Sequence, residues 1–340
     1  MRRSLIVLAL ILTGGAASAQ TVTVTLSPQG QALAASLGTT PQDLASKIQT
    51  QVENAYDTAN INSFLRSFAN ATTFAQHGLG VDYMSLPGSF MLGVGGQVAL
   101  ATDGDLNDPQ RTTAGFAANF SIMLGLNLKA YGHPRWTLFA NGFYEDGSTD
   151  RLNGAITTAG AHVQYRLVNP QIDQGVGTAI LRWTGIDVTS GVEFTRWSFG
   201  ANDTITNDFT VAAGQGSTNL TLDSTGKFDL SSNALTVPIE VTTGLRIVEI
   251  VSLYAGVGFD FTGGKASMDA NLNGTMKASD GTNVGTVAIV ASGNNTASPG
   301  QFRGLAGVQL NIWALKIFSQ INVAPDPAVA SLAFGLRVVL

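Results

Sequence analysis

The chain of 340 residues has 12% charged side chains and a formal net charge of −5 without a basic stripe, so nucleic acid is not an expected partner. It contains no cysteine, which excludes anchoring as a lipoprotein. Its mean hydropathy is +0.19, but no segment after the first twenty residues approaches a transmembrane helix, so the apolar residues are dispersed along the chain.

Residues 1–19 have the pattern of a secretory signal peptide. Arg2 and Arg3 form its basic start, an apolar core follows, and Ala17-Ser18-Ala19 matches a cleavage site. We expect a mature chain that begins at Gln20, and loss of the two arginines changes the formal charge from −5 to −7. Export of a chain without a membrane-spanning helix leaves the outer membrane, the periplasm or the medium as its destination.

Residues 20–87 are predicted to contain a short strand and two amphipathic helices. Residues 21–26 are β-prone, and Thr40-Pro41-Gln42-Asp43 combines an N-cap, a proline at the first helical position and an acidic residue in the first turn. The apolar stripes of the two helices comprise Leu44, Ile48, Val52 and Tyr56, and then Ile61, Phe64, Leu65 and Phe68.

Residues 88–340 are dominated by runs in which apolar and polar residues alternate, as in β-strands with two unlike faces. The clearest case is the pair of runs in residues 234–263. A run from Trp136 is ambiguous in phase, and another loses phase at Arg196 and Trp197, which we interpret as a bulge or as the exit from a membrane. We count ten strands and allow ten to fourteen, because residues 202–233 and 265–300 are long loops, strands extended above the membrane or additional spanning hairpins.

The polar faces of these strands are sparse and rich in glycine, which is typical of a confined lumen and not of a surface in bulk water. The sequence therefore predicts an antiparallel transmembrane β-barrel with its apolar faces towards lipid; a soluble secreted β-sandwich is the alternative, because alternation by itself does not identify the solvent. The charged or titratable candidates for lining the lumen are His162, Arg166, Glu193, Glu240, Arg246, Asp260, Arg303 and Arg337. We expect them to pair across a narrow lumen or to line an aqueous or plugged path.

The last strand places apolar residues at every second position up to Leu340, the final residue. It resembles the closing strand of bacterial outer-membrane β-barrels, although those strands usually end in Phe or Trp. This resemblance implies an outer membrane of the Gram-negative type, with the lipid and the barrel-assembly machinery as partners. Aromatic girdles are expected from Trp136, Trp183 and Trp313 on the periplasmic side and from Tyr144 and Trp197 on the outer side.

The apolar stripes of the helices need a surface to pack against. We expect the helices in the barrel lumen or at its periplasmic mouth, against a periplasmic partner, or on the membrane surface. In the first case they form a plug, and the candidate residues for the plug or gate are Leu44, Ile48, Val52, Phe64, Leu65 and Phe68. Such a plugged barrel is similar in architecture to the long-chain fatty-acid transporters of outer membranes.

Catalysis, a metal and a cofactor are not expected. His162 has no serine beside it in a recognisable nucleophile context. The acidic stretch that starts at Asp103 lacks the glycine and the glutamate of a calcium loop. Two functions remain. One is a passive transporter or channel for a small solute, hydrophobic solutes included, gated by residues 40–75. The other is a non-conducting structural or surface-interaction barrel that acts through residues 202–233 and 265–300.

Overall fold

A computed structural model describes residues 20–55, 61–84, 90–103, 113–169 and 180–340. The signal-peptide prediction, Tyr56 and most of the acidic stretch after Asp103 lie outside these residues. The strands are β1 (Gln20–Leu26), β2 (Phe90–Asp103), β3 (Thr113–Asn127), β4 (Trp136–Ser148), β5 (Leu152–Val168), β6 (Leu181–Ala213), β7 (Gly216–Ile247), β8 (Val251–Ala278), β9 (Asn283–Thr296), β10 (Gly300–Ile312), β11 (Leu315–Pro325) and β12 (Ala328–Val339). The helices are α1 (Pro28–Ser36), α2 (Pro41–Ala55) and α3 (Ile61–Phe74).

Ten of the strands form a closed antiparallel barrel. Strands β2 to β8 pair in chain order, β8 then pairs with β10, and the sheet continues through β11 and β12. The ring closes where β12 pairs with β2, from Ala328 opposite Thr102 to Val339 opposite Met91. The predicted fold class, an all-β antiparallel barrel of about ten strands preceded by helices, is confirmed.

The long segments 202–233 and 265–300 are neither loops nor additional spanning hairpins. They are continuations of β6, β7 and β8 beyond the barrel, together with β9. The upper half of β8 pairs with β9, and β9 pairs with β1. The result is a five-stranded sheet in the order β6-β7-β8-β9-β1, which we call the extension.

The polarity of the two sheet faces inverts where the barrel passes into the extension. In the barrel part of β7, Leu235, Val237 and Ile239 point outwards and are exposed, while Glu240 points inwards and is buried. In the extension the inward positions are apolar instead, and Leu222 is fully buried. The barrel is therefore apolar outside and polar inside, whereas the extension has the opposite arrangement, which is that of a water-soluble protein.

The outward apolar residues form a continuous belt around the barrel. On β7 the belt runs from Leu235 to Leu245, which at roughly 3.3 Å per residue and a strand tilt of about 40° gives a height of about 25 Å, as is typical of transmembrane barrels. Trp136, Trp183 and Trp313 lie at the end of the barrel with short turns and are exposed, as predicted for one girdle. No helix within the described residues has the length and apolarity needed to cross a membrane.

The barrel wall contains a seam between β3 and β4. These two strands pair only from Ile122 opposite Gly142 to Asn127 opposite Thr137, so residues 113–121 of β3 have no backbone partner on the β4 side. Side chains bridge the seam instead: the Thr158 hydroxyl donates to the Phe120 carbonyl (3.2 Å) and the Trp197 indole N–H donates to the Ala118 carbonyl (3.1 Å).

The apparent loss of phase at Trp197 arises because this apolar residue points inwards, where its indole bridges the seam. Strand β6 is regular there, with Arg196 opposite Asn233 and Trp197 opposite Ser232, so the predicted bulge is absent. The alternative, an exit from the membrane, agrees with the paired part of β7, where the apolar residues change faces between Leu230 and Leu235. Trp197 keeps the inward parity of Glu193 and Thr195 and packs edge-on against Phe68 of α3, with ring centroids 5.9 Å apart. It therefore does not belong to an outer aromatic girdle.

Helices α1 and α2 pack on the extension. Ser27 accepts a hydrogen bond from the Gly30 amide (3.0 Å) and caps α1, which was not predicted; Thr40 caps α2 in the same way through the Asp43 amide (3.1 Å). Lys47 of α2 donates to the Ala212 carbonyl at the edge of β6 (3.0 Å). The core between helices and sheet comprises Val22, Ala34, Leu44, Ile48, Val52, Val211, Ala213, Leu220, Leu222, Met276, Val284, Val287 and Ile289.

Candidate functional site

The candidate site is the barrel lumen, together with the chain segment that runs through it. Helix α3 enters the barrel from the extension, where the Asn62 carbonyl accepts from Asn295 (2.8 Å) and the Asn70 side chain accepts from the Ser298 amide (2.8 Å). Residues 75–84, which we call the lumen segment, continue towards the end with short turns, and every one of them is buried. Gly78 in this segment has a φ of +82°, a conformation that favours glycine.

The lumen segment first binds the wall through Gln76 and His77. The Gln76 amide donates to the carbonyls of Ala159 and Phe194, each at 3.1 Å. The His77 ring lies between two acidic groups of the wall, with Nδ1 2.8 Å from Glu193 Oε2 and Nε2 3.3 Å from Asp260 Oδ2. All of these charged groups are nearly inaccessible to solvent, so their interactions form in a medium of low dielectric constant and are strong.

Arg303 connects the carboxylates around His77 to a second pair, Glu240 and Tyr83. Its guanidinium donates to Asp260 Oδ2 (2.8 Å), to Asn322 Oδ1 (3.4 Å) and to Glu240 Oε1. The Tyr83 hydroxyl of the lumen segment donates to the other oxygen of Glu240 (2.7 Å). The wall thus carries two carboxylates around one arginine, and the lumen segment contacts both of them, Glu240 through the Tyr83 hydroxyl and Asp260 through the His77 ring.

Two further arginines hold the lower part of the lumen segment through its carbonyl groups. Arg337 donates to the Val81 carbonyl (2.6 Å), pairs with Asp82 (3.2 Å) and lies 3.7 Å from the centre of the Phe318 ring. Arg246 donates to the Met84 carbonyl (2.6 Å). Because a guanidinium presents several donors in one plane, it can bind a carbonyl group and a carboxylate at the same time.

All eight lumen candidates lie on the inner side of the wall. Glu193, Glu240, Arg246, Asp260, Arg303 and Arg337 contact one another or the lumen segment, as described above. His162 is buried, with Nε2 3.8 Å from Glu193 Oε1. Arg166 makes two hydrogen bonds to Asp187, at 3.0 and 3.3 Å, and takes no part in the cluster around His77.

The six plug or gate candidates do not lie together. Leu44, Ile48 and Val52 are buried in the core of the extension, outside the barrel. Leu65 and Phe68 pack where the extension meets the barrel, with Phe64 at the edge of the same cluster. Four residues of the lumen segment that bind the wall were not among the predicted candidates: Gln76, His77, Asp82 and Tyr83.

A cavity of about 40 Å³ opens at the end with short turns. It lies beside Asp82, and its wall includes Gln164, Arg166 and Asp187. Its volume is enough for water molecules. Within the described ranges, no three histidine or acidic side chains converge as ligands for a metal ion.

The predicted resemblance to the outer-membrane β-barrel class is confirmed by the closed ring and its apolar belt. Among solved structures, the chain is similar to the translocator domain of the autotransporter NalP from Neisseria meningitidis (9% identity, TM-score 0.35, covering 79% of this chain and 93% of that one). It is also similar to the attachment invasion locus protein Ail of Yersinia pestis (11%, TM-score 0.26, 75% and 100%) and to the Acinetobacter baumannii outer membrane protein Omp33 (9%, TM-score 0.29, 76% and 100%). Because these scores are low, the similarity supports no inference about a shared function.

No curated protein matches the sequence. A family model does match, over residues 16–340, and that range contains the whole barrel, the extension and the lumen segment. By this match over nearly its full length, the chain belongs to the Lsa36-like family.

Proposed function

We propose that this protein is a closed outer-membrane barrel that holds a rigid sheet outside the cell for interactions at the surface. The observation that carries the proposal is the pairing of the wall with the lumen segment. Glu193 and Asp260 share His77, Glu240 receives the Tyr83 hydroxyl, and Arg337 pairs with Asp82. Buried charges are stable only when they are paired, so withdrawal of the lumen segment would leave several of them without partners.

The extension supports the surface role. Its interior is an apolar core like that of a soluble protein, and its outer face carries threonine, asparagine and aspartate side chains on adjacent strands. One row across the sheet, for example, contains Thr25, Thr286, Thr275, Asp223 and Thr206. A sheet that continues the barrel strands without a hinge presents this face in a fixed orientation.

Conductance of the intact chain in planar lipid bilayers tests the closed state. We expect no stepwise current, because the lumen segment is bound along its whole length. Removal of the lumen segment would open any barrel of this size, so the measurement that decides is the one on the intact chain. Regular conductance steps from the intact chain would overturn the proposal.

The surface role is tested by trimming the hairpin of β6 and β7. In the variant, an Asn-Gly turn replaces residues 204–225, and heat-modifiable migration in detergent checks that the barrel still folds. Cells that produce the intact or the trimmed chain are then compared for retention on immobilised polysaccharides and proteins. We expect weaker retention of the trimmed chain on at least one of them, and equal retention on all of them would contradict the role.

A second function, passage of a small apolar solute, is favoured by the seam between β3 and β4. Over residues 113–121 the wall there is closed by side chains and not by backbone pairs. Trp197 bridges this seam and touches Phe68 of α3, so a movement of α3 could widen the seam between the lumen and the lipid. Substitution Trp197→Ala should then raise uptake of an apolar dye by intact cells, and an unchanged rate would exclude this route.

A further inference from the structure

The chain crosses its own barrel before it begins to build it. Strand β1 pairs with β9 in the extension, from Gln20 opposite Ala291 to Leu26 opposite Gly285. At the other end of the barrel, Phe90 begins β2 and exchanges two backbone hydrogen bonds with Leu340, at 3.2 and 2.9 Å. Residues 20–55 and the start of β2 therefore lie at opposite ends of the barrel.

The path between these ends runs inside the barrel. In chain order, Asn62 contacts Asn295, His77 contacts Glu193 and Asp260, and the Met84 carbonyl receives Arg246. Arg246 also pairs with Glu249 in the short turn between β7 and β8 (3.0 Å). The order of these contacts follows the barrel axis from the extension to the short turns.

The two ends of the barrel differ in a way that assigns their sides. One end has the short turns 248–250 and 313–314 and the last residue of the chain, and the other carries the long extension. Outer-membrane barrels keep short turns on the periplasmic side and their longer segments outside. The extension and everything that packs on it are thereby assigned to the outside.

We propose that residues 20–55 form a module displayed on the cell surface, which the barrel exports through its own lumen, and that residues 61–84 are the crossing segment that remains behind. The inference rests on the path of the chain and not on the surface role proposed above. A helix with its side chains is about 10–12 Å wide and, together with the wall side chains, fills this lumen. The module, with one strand and two helices, is wider than that, so it crosses before it folds.

After the crossing, the module and the extension form one hydrophobic core. Val22 and Ile48 of the module are buried against Leu222 and Met276 of the extension. Before the module arrives, these side chains of the extension face water. Their burial favours the arrival of the module and opposes its return.

Single cysteines test the topology, because the chain has none of its own. Thr21→Cys reports on the module, Gln215→Cys on the tip of the extension and Lys129→Cys on a short turn, and all three positions are exposed. Cells that produce the full chain are treated with a membrane-impermeant maleimide before and after permeabilisation of the outer membrane. We expect labelling of T21C and Q215C in intact cells, and of K129C only after permeabilisation.

Any other pattern at position 21 overturns the proposal. Labelling of T21C only after permeabilisation would place the module in the periplasm. Labelling of K129C but not Q215C in intact cells would reverse the barrel and with it the location of the module. Because the readout is chemical accessibility, it is independent of conductance and of retention on surfaces.

A fusion experiment tests the crossing itself. A small domain that folds rapidly, placed directly before Gln20 in the exported chain, should halt the crossing, and T21C should then stay unlabelled in intact cells. A flexible Gly/Ser extension of the same length should leave the labelling unchanged. Equal labelling with both fusions would exclude export through the lumen.

Discussion

Gly115 of β3 lies directly against the backbone of Phe68 in α3. A Cβ atom added to Gly115 would come within 2.2 Å of the Phe68 amide nitrogen and of the Ser67 carbonyl carbon. The Ser67 hydroxyl donates to the Thr113 carbonyl (3.3 Å), two residues away on the same strand. Helix α3 thus packs directly on the inner face of the part of β3 that has no strand partner on the β4 side.

Substitution Gly115→Ala should displace α3 from the wall. The added methyl group meets backbone atoms, which cannot rotate away, so we expect a loss of about 1–3 kcal/mol, the usual cost of overpacking. Urea unfolding of the refolded chain in detergent micelles measures the loss. Gly304→Ala is the matched control, since a Cβ atom at Gly304 meets nothing within 4 Å. If the two variants unfold at the same urea concentration, the close contact is not rigid.

Substitution Arg303→Met should destabilise the barrel strongly. It leaves Glu240 and Asp260 buried without their arginine, and removal of one partner from a buried ion pair costs about 3–5 kcal/mol. Loss of heat-modifiable migration, or a lower unfolding midpoint, measures the effect. Adding Glu240→Gln and Asp260→Asn to the same chain should recover part of it, because the unpaired charges are then gone. Lys277→Met, which breaks an exposed pair with Asp223, should change little.

The barrel was predictable because its lipid-facing strands alternate with a period of two, and the inward charges follow from that parity. The extension carries a signal of the same kind in its own sequence. On β7, apolar residues fall on even positions at Leu220, Leu222 and Leu230 and on odd positions at Leu235 and Val237. Such a switch of parity along one continuous strand indicates that the apolar face turns from the inside to the outside, which places the edge of the membrane near residues 231–234.

The lumen segment could not be predicted from the sequence. All ten residues from 75 to 84 are buried, so no water-exposed face separates polar from apolar side chains along them. The pairs that define the site, such as His77 with Glu193 and Tyr83 with Glu240, are separated by 116 and 157 positions. Helix α1, in contrast, could have been predicted, since Ser27-Pro28 repeats the start signal of Thr40-Pro41.

The carboxyl group of Asp223, on the outer face of the extension, should titrate below the usual range. Hydrogen bonds from Lys277 (2.9 Å) and Thr206 (3.0 Å) favour its charged form and lower its pKa from the ordinary value of 3.8. Because the pKa of Asp223 is lower in the folded than in the unfolded state, its carboxylate stabilises the fold at any pH above the unfolded-state pKa. This stabilisation is lost as the pH falls through the folded-state pKa. A carboxyl ¹³C NMR titration should show the midpoint rising in Lys277→Met, and an unchanged midpoint would contradict the assigned cause.

Substitution Trp197→Phe should loosen the seam without removing the ring contact to Phe68. It deletes the indole N–H that donates to the Ala118 carbonyl, and an unmet buried acceptor costs about 1–3 kcal/mol. Hydrogen exchange of the β3 amides around residue 118 should become faster. Trp136→Phe, at a lipid-facing ring that packs on Tyr165, is the control and should leave the exchange of these amides unchanged.

Two lysine substitutions on the same face of β7 locate the membrane. Val241 and Thr225 have the same parity and both point outwards, but Val241 lies near the middle of the apolar belt and Thr225 lies in the extension. Val241→Lys should cost about 2–4 kcal/mol, as expected for a lysine near the midplane of a bilayer, and should reduce the fraction that folds into lipid vesicles. Thr225→Lys should fold as well as the parent chain, because water surrounds that position. Equal folding yields, measured by heat-modifiable migration after refolding, would mean that lipid does not surround the belt. Equal yields in detergent micelles but unequal yields in bilayers would still support the boundary, because micelles adapt to a charged side chain more easily than a bilayer does.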